Sequence, residues 1–190
     1  MRLPFRPPMA LCATLLTGLA GCTGAGLPET ARLGGTRSPV PPPPGYHVYC
    51  DEYASQDEAC RAILSEEGAQ ELQRINAAVN ARIRPGSDTE LYGAGDRWVM
   101  LDGAGLGDCD DYAVTKLHEL VRSGWPRGAL RLTLAEIPGG GPHLVLVVST
   151  VAGDYVLDNR FDRVMAVGDL DYRWVSQEMP GHPHWVSLLG

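Results

Sequence analysis

Residues 108–159, DCDDYAVTKLHELVRSGWPRGALRLTLAEIPGGGPHLVLVVSTVAGDYVLDN, decide the fold. The stretch begins in one periodicity and ends in another. In its first part Cys109, Tyr112, Ala113, Lys116, Leu117, Leu120 and Val121 recur three or four apart and share one helical face. Gly124 and Pro126 stop that helix. Leu130 to Ile137 then reads as a strand, and Gly139-Gly140-Gly141-Pro142 breaks the chain. His143 to Thr150 is a second strand, dense in Val and Leu. Ala152-Gly153 supplies a turn, and Tyr155 to Asp158 returns.

Upstream, Leu72, Ile75, Val79 and Ile83 make the buried stripe of a helix from about Ala69 to Ile83, which Pro85 ends. A shorter helix is expected over Asp57 to Leu64. Residues 86–107 read as an irregular, Gly-rich approach segment. Downstream, Tyr172 to Ser176 and Trp185 to Leu188 add two further strands. Helices first and an antiparallel sheet afterwards predict an α+β domain, with N-terminal helices packed on the sheet.

The first residues of the 190-residue chain read as an export signal, and one is expected there. Arg2 and Arg6 flank a short apolar run from Met9 to Ala20, too short for a comfortable membrane span. The run closes on Leu19-Ala20-Gly21-Cys22, which resembles a bacterial lipobox, so residues 1–22 are expected to leave Cys22 acylated. The protein is then expected in the periplasm, touching a membrane through lipid alone. Residues 23–45 read as a linker rich in Gly and Pro, ending in Pro41-Pro42-Pro43-Pro44-Gly45. The domain is expected to cover residues 46–190. In an oxidising compartment the near neighbours Cys50 and Cys60 suggest a disulfide, which leaves Cys109 as a thiol to flag as reactive.

The net charge is -7. Removing residues 1–21 takes away two arginines and no acid, so the remainder is more acidic still. That balance argues against a nucleic-acid partner and suits a calcium site better.

Cys109 sits where a loop meets a helix. Free N–H groups and the positive end of the macrodipole stabilise a thiolate there and can receive an oxyanion. Asp108, Asp110 and Asp111 oppose this by crowding the thiol with negative charge, a conflict that a bound cation would relieve. A thiolate needs a base and the base needs an orienting group. His118 lies nine residues along the same helix, too far down its axis. His143 opens a core strand after a Gly-rich turn and is better placed. With a loop centred between Val151 and Ala152, Asp158 sits diagonally from His143 on the same face of the hairpin. The Trp98 indole N–H is a further candidate oxyanion donor, with a core tryptophan as the other reading of that residue.

Gly107-Asp108-Cys109-Asp110-Asp111-Tyr112-Ala113 resembles the nucleophile motif of the bacterial transglutaminase-like cysteine proteinases. The likeness extends to Asn76-Ala77-Ala78-Val79-Asn80, Ile83-Arg84-Pro85, Asp96-Arg97-Trp98 and Ser123-Gly124-Trp125-Pro126. It continues in His143-Leu144-Val145-Leu146 and Val156-Leu157-Asp158-Asn159, and the Cys50 and Cys60 pair fits it too. The resemblance implies a papain-like, transglutaminase-like core with Cys109 as nucleophile, His143 as base and Asp158 as orienting acid. It implies Ca2+ held by Asp108 and Asp110, with Asp111 a further candidate, although the family often carries Glu at the position of Asp110. No organic cofactor is expected.

The resemblance further implies a protein substrate in the secreted or surface fraction, with a large biofilm adhesin as the family example. An inner-membrane regulatory receptor is the corresponding partner. Two other readings stay open on the same residues. One is a transglutaminase or amidase using the same triad. The other is a membrane-tethered calcium-binding adaptor without turnover.

Overall fold

The computed structural model describes Leu27 and residues 30–34, 39–41, 43–45, 62, 64–93, 95–179, 181–182 and 184–189. The expected export signal, Cys22, Cys50, Cys60 and most of the helix expected over Asp57 to Leu64 lie outside the described residues. Within that last stretch Ala62 is described, and it makes a parallel bridge to Thr150 instead of a helical turn.

Helix α1 runs Glu66–Arg82, with Ser65 as its N-cap accepting the Gly68 amide at 3.1 Å. Its apolar stripe, Leu72, Ile75 and Val79, is fully buried. A second ridge carries Gln73, Asn76 and Asn80, again three and four apart. Asn76 Nδ2 donates to the Phe161 carbonyl at 2.7 Å, and Asn80 Nδ2 donates to the Asp158 carbonyl at 3.0 Å. Gln73 Nε2 donates to the Asp162 carbonyl at 2.6 Å. One helix therefore fills the core with one ridge and holds the 158–162 loop with the next.

Residues 86–107, expected to be irregular, contain ordered elements. The short strands β2, Ile83–Pro85, and β3, Gly105–Gly107, pair in parallel. Between them α2, Asp88–Tyr92, starts on a capping box made by Ser87 and Glu90. Helix α3, Cys109–Arg122, follows within the expected bounds. Tyr112, Ala113, Val114, Leu117 and Leu120 of α3 pack against α1 and the sheet in one core cluster.

The sheet strands are β1 Pro39–Val40, β4 Leu130–Glu136, β5 Pro142–Thr150, β6 Gly153–Leu157, β7 Met165–Ala166, β8 Arg173–Glu178 and β9 Trp185–Ser187. Their order is β1-β9-β8-β4-β5-β6-β7, and every neighbouring pair is antiparallel. This is the expected α+β arrangement. Strand β5 is central and buried on both faces, which explains its unbroken apolar run. Leu144, Leu146 and Val148 face the helices, while Val145 and Val147 join a second cluster with Val156, Met165 and Val167.

The expected linker is not free chain. Its Pro39–Val40 pairs with Val186 and Trp185 along the outer edge of β9. The Thr30 amide donates to the Ala152 carbonyl at 2.9 Å, and the Asp154 amide to the Ala31 carbonyl at 3.0 Å. Gly153, at φ 129°, makes this approach possible, because a Cβ there would lie 2.1 Å from the Thr30 carbonyl oxygen. No described helix is long and apolar enough to cross a membrane.

Candidate active site

The start of α3 is held by acids. Asp108 is the N-cap, and Asp111 Oδ2 accepts the Asp108 amide at 3.2 Å. Asp111 Oδ1 accepts the Val99 amide at 2.7 Å. Asp111, expected as a further calcium ligand, thus has both oxygens engaged in bracing the approach loop to the helix. Gly107 makes the brace possible, since a Cβ there would come within 2.5 Å of Asp111 Oδ2 and 2.8 Å of its Cβ. Gly107→Ala is therefore expected to cost about 1–3 kcal/mol of stability, read as a lower urea midpoint.

Cys109 is a free cysteine in the first turn of α3, and the Leu144 amide of β5 donates to its Sγ at 3.5 Å. Burial, with added repulsion from Asp110 and Asp108, pushes its thiol up to about 12 despite the Leu144 contact. The two flanking acids thus add to the burial that opposes the thiolate. Burial also pushes Asp110 up to about 10, with the Asp108 side chain beside it as the next cause. Asp111 is pushed up to about 7, mainly by burial.

His143 enters from β5 and Asp158 from the end of β6. Leu146 faces Leu157 and Val147 faces Val156, the register expected from a turn between Val151 and Ala152. One step further Asp158 falls opposite Val145, diagonal to His143. His143 Nε2 and Asp158 Oδ1 are 2.8 Å apart and both residues are buried. Burial drives the Asp158 carboxyl upward, but hydrogen bonds led by that from His143 outweigh it and hold the group below the usual carboxylate range. An anionic Asp158 only accepts, so Nε2 carries the proton and Nδ1 is the basic nitrogen.

Cys109, Asp110, His143 and Leu144 line one pocket of about 370 Å³, with Trp98, Leu134, Pro142 and the Pro43-Pro44 segment as its other walls. Trp98 contributes its ring. The indole N–H that was a candidate oxyanion donor is given to Asp96 Oδ1 at 2.9 Å. Asp96 also accepts the Gly45 amide at 2.8 Å through Oδ2, which fastens the Pro-rich segment beside the pocket. The larger groove, between Ser65, Trp125 and Arg74, contains none of these groups.

Two site residues escaped the sequence reading. The Tyr172 hydroxyl donates to Asp158 Oδ2 at 2.6 Å, and the Arg160 amide donates to Asp158 Oδ1 at 2.9 Å. The position of Arg160, two residues beyond an Asp that starts a turn, was a usable signal for the amide contact. Tyr172 left none, because its loop joins the site only through the sheet.

The sequence profile of the bacterial transglutaminase-like cysteine proteinases matches residues 36–190. The chain belongs to this family. No curated protein matches it. Among solved structures, Legionella pneumophila LapG is similar at 24% identity and a TM-score of 0.50, covering 62% of this chain and 67% of that one. Its calcium-bound form gives 26% identity and 0.49, covering 57% and 64%. Its EGTA-treated form gives 25% and 0.47, covering 57% and 62%. The chain thus spans less than two thirds of the calcium-bound and EGTA-treated chains. The α+β architecture is accordingly a transglutaminase-like fold.

Proposed function

We propose that this protein is a cysteine peptidase that cleaves a peptide bond in a secreted or surface protein. Cys109 is the nucleophile, His143 the base and Asp158 the orienting acid. The observation that carries the reading is the 2.8 Å contact of His143 with Asp158 beside the pocket that Cys109 shares. His143 takes the Cys109 thiol proton, and the resulting thiolate attacks the amide carbon, forming a C–S bond as the carbonyl electron pair moves onto oxygen. His143 returns the proton to the leaving amine as the C–N bond breaks. Water, deprotonated by the same imidazole, then hydrolyses the thioester. Open N–H groups at the start of α3 stabilise the negative oxygen of each tetrahedral intermediate.

Calcium fits this site on its own chemistry. Asp108 and Asp110 offer ligand atoms within 4.8 Å of each other, and the Oδ1 atoms of both are buried without a hydrogen-bond donor among the described residues. A hard cation takes such oxygens rather than the neighbouring Cys109 sulfur. When bound, it compensates the carboxylate charge that opposes thiol ionisation. Calcium chloride is expected to raise the melting temperature relative to EGTA, by about 2.7 kcal/mol of stability at a hundredfold excess over Kd. Asp110→Ala is expected to abolish that shift. An unchanged melting temperature in the native protein would remove calcium from the proposal.

Acylation at Cys22 would place the enzyme on a periplasmic membrane face. A large adhesin as substrate and an inner-membrane receptor as regulator follow from family analogy. The test compares the secreted and surface proteins of cells carrying the wild-type protein or Cys109→Ala. Fragments that require Cys109 support the reading, whereas the same fragments from the alanine variant overturn it.

A further inference from the structure

The reaction above uses one oxygen of Asp158. Its Oδ1 takes the His143 and Arg160 N–H groups, while Oδ2 takes the Tyr172 hydroxyl. Asp158 is 1% exposed, so water does not compete for these positions. Arg160 Nη1 in turn donates to the Tyr172 oxygen at 2.9 Å. A phenol carries one hydrogen. With the guanidinium donating into the oxygen, that hydrogen is left for Asp158. The Tyr172 ring meets the His143 imidazole edge-on, with centroids 6.2 Å apart and planes at 89°. One side chain therefore touches both the acid and the base. A side chain that merely filled space would not need its hydroxyl aimed at a buried carboxylate.

We propose that Tyr172 is a positioning residue. Its hydroxyl fixes the Asp158 carboxylate plane from the oxygen His143 does not use, its ring sets the imidazole plane, and Arg160 orients the hydroxyl. The proposal rests on His143 and Asp158 acting as base and orienting acid. A carboxylate held at one oxygen turns about its terminal torsion, which is broad for Asp, and carries the imidazole with it. Donors on both oxygens suppress that rotation.

Two measurements test it. The first is the rate of Cys109 alkylation by iodoacetamide, followed by mass spectrometry in calcium chloride. Tyr172→Phe keeps the ring and removes the hydroxyl, and it is expected to slow alkylation roughly tenfold, the scale of one hydrogen bond to a charged group. In an Asp158→Ala background the same change is expected to slow it no further, because Tyr172 acts through Asp158. Where wild-type Cys109 reacts faster than free cysteine, a rate for Tyr172→Phe within twofold of wild type overturns the proposal, as does an equal loss in both backgrounds.

The second is the nitrogen-15 spectrum of histidine-labelled protein, with His143 assigned from His143→Gln. Wild type is expected to show one tautomer, protonated on Nε2, and Tyr172→Phe a mixture. This readout needs no reactive thiol. If wild-type Cys109 reacts no faster than free cysteine but the tautomer loosens in Tyr172→Phe, the peptidase reading fails and the positioning role stands. If Cys109 is reactive and the tautomer is unchanged in the variant, the positioning role fails alone.

Discussion

His143→Ala is expected to lower cleavage of the protein substrate by about 10²–10⁴-fold in kcat, the range set by loss of a positioned acid and base. KM should change little, because the imidazole acts on the reacting bond rather than on remote parts of the substrate. The fold should persist. Asp158 keeps the Arg160 amide and the Tyr172 hydroxyl, and the 158–162 loop keeps its ties to α1. The variant should nevertheless show an altered acid limb of stability. Asp158 titrates below its ordinary range, with burial pushing it up and the His143 hydrogen bond leading the opposing causes. A carboxyl depressed on folding stabilises above its unfolded pKa of about 3.9, and that contribution is lost as pH falls through the folded value. Without His143 the folded value rises toward the unfolded one, so less stability is lost as pH falls below about 4, and the acid limb of the urea midpoints should be shallower than in wild type. An unaltered kcat in His143→Ala would remove the base from the scheme.

Arg127→Leu is expected to produce the largest loss of stability, about 3–5 kcal/mol by urea unfolding. Arg127 and Glu178 are only 8% and 2% exposed and form an ion pair between the 3₁₀ turn at Arg127–Ala129 and β8. Arg127 Nη1 also donates to the Leu130 carbonyl at 2.7 Å, and Glu178 Oε2 accepts the Leu132 amide at 3.2 Å. Removing the guanidinium takes this ion pair from a buried carboxylate. Changing both residues to leucine should cost less than Arg127→Leu alone, since no buried carboxylate then loses an ion pair. Neither residue lines the Cys109 pocket, so alkylation of Cys109 per folded molecule should be retained. A single-variant loss under about 1 kcal/mol would mean that water reaches the pair.

The parts of the site legible in the sequence are those governed by local rules. The face of α3 follows from its helical spacing, whereas the β5–β6 register was conditional on where the turn is centred, and the structure supplies that centre. With that register given, His143 meets Asp158. The parts that stayed hidden depend on distant chain. Tyr172 reaches Asp158 across the sheet, and nothing in Leu170-Asp171-Tyr172 announces that contact. Helix α2 was missed although Ser87 and Glu90 carry the spacing of a capping box, because its five residues were submerged in a Gly-rich composition. For Trp98 donor chemistry alone leaves an oxyanion role and a core role open, and the structure shows the core one, with the N–H given to Asp96 two residues away.

The docking of residues 39–45 bears on how the protein can be handled. Pro39–Val40 covers the outer edge of β9, and Gly45 is bonded beside the Cys109 pocket that Pro43 and Pro44 help to wall. An expression product begun at residue 46, the boundary that composition suggests, would leave the β9 backbone unpaired and open the pocket on that side. Bare strand edges recruit other strands. Such a product would self-associate and present an altered cleft, so a shortened form that precipitates or lacks activity would report the missing segment rather than a fault in the triad.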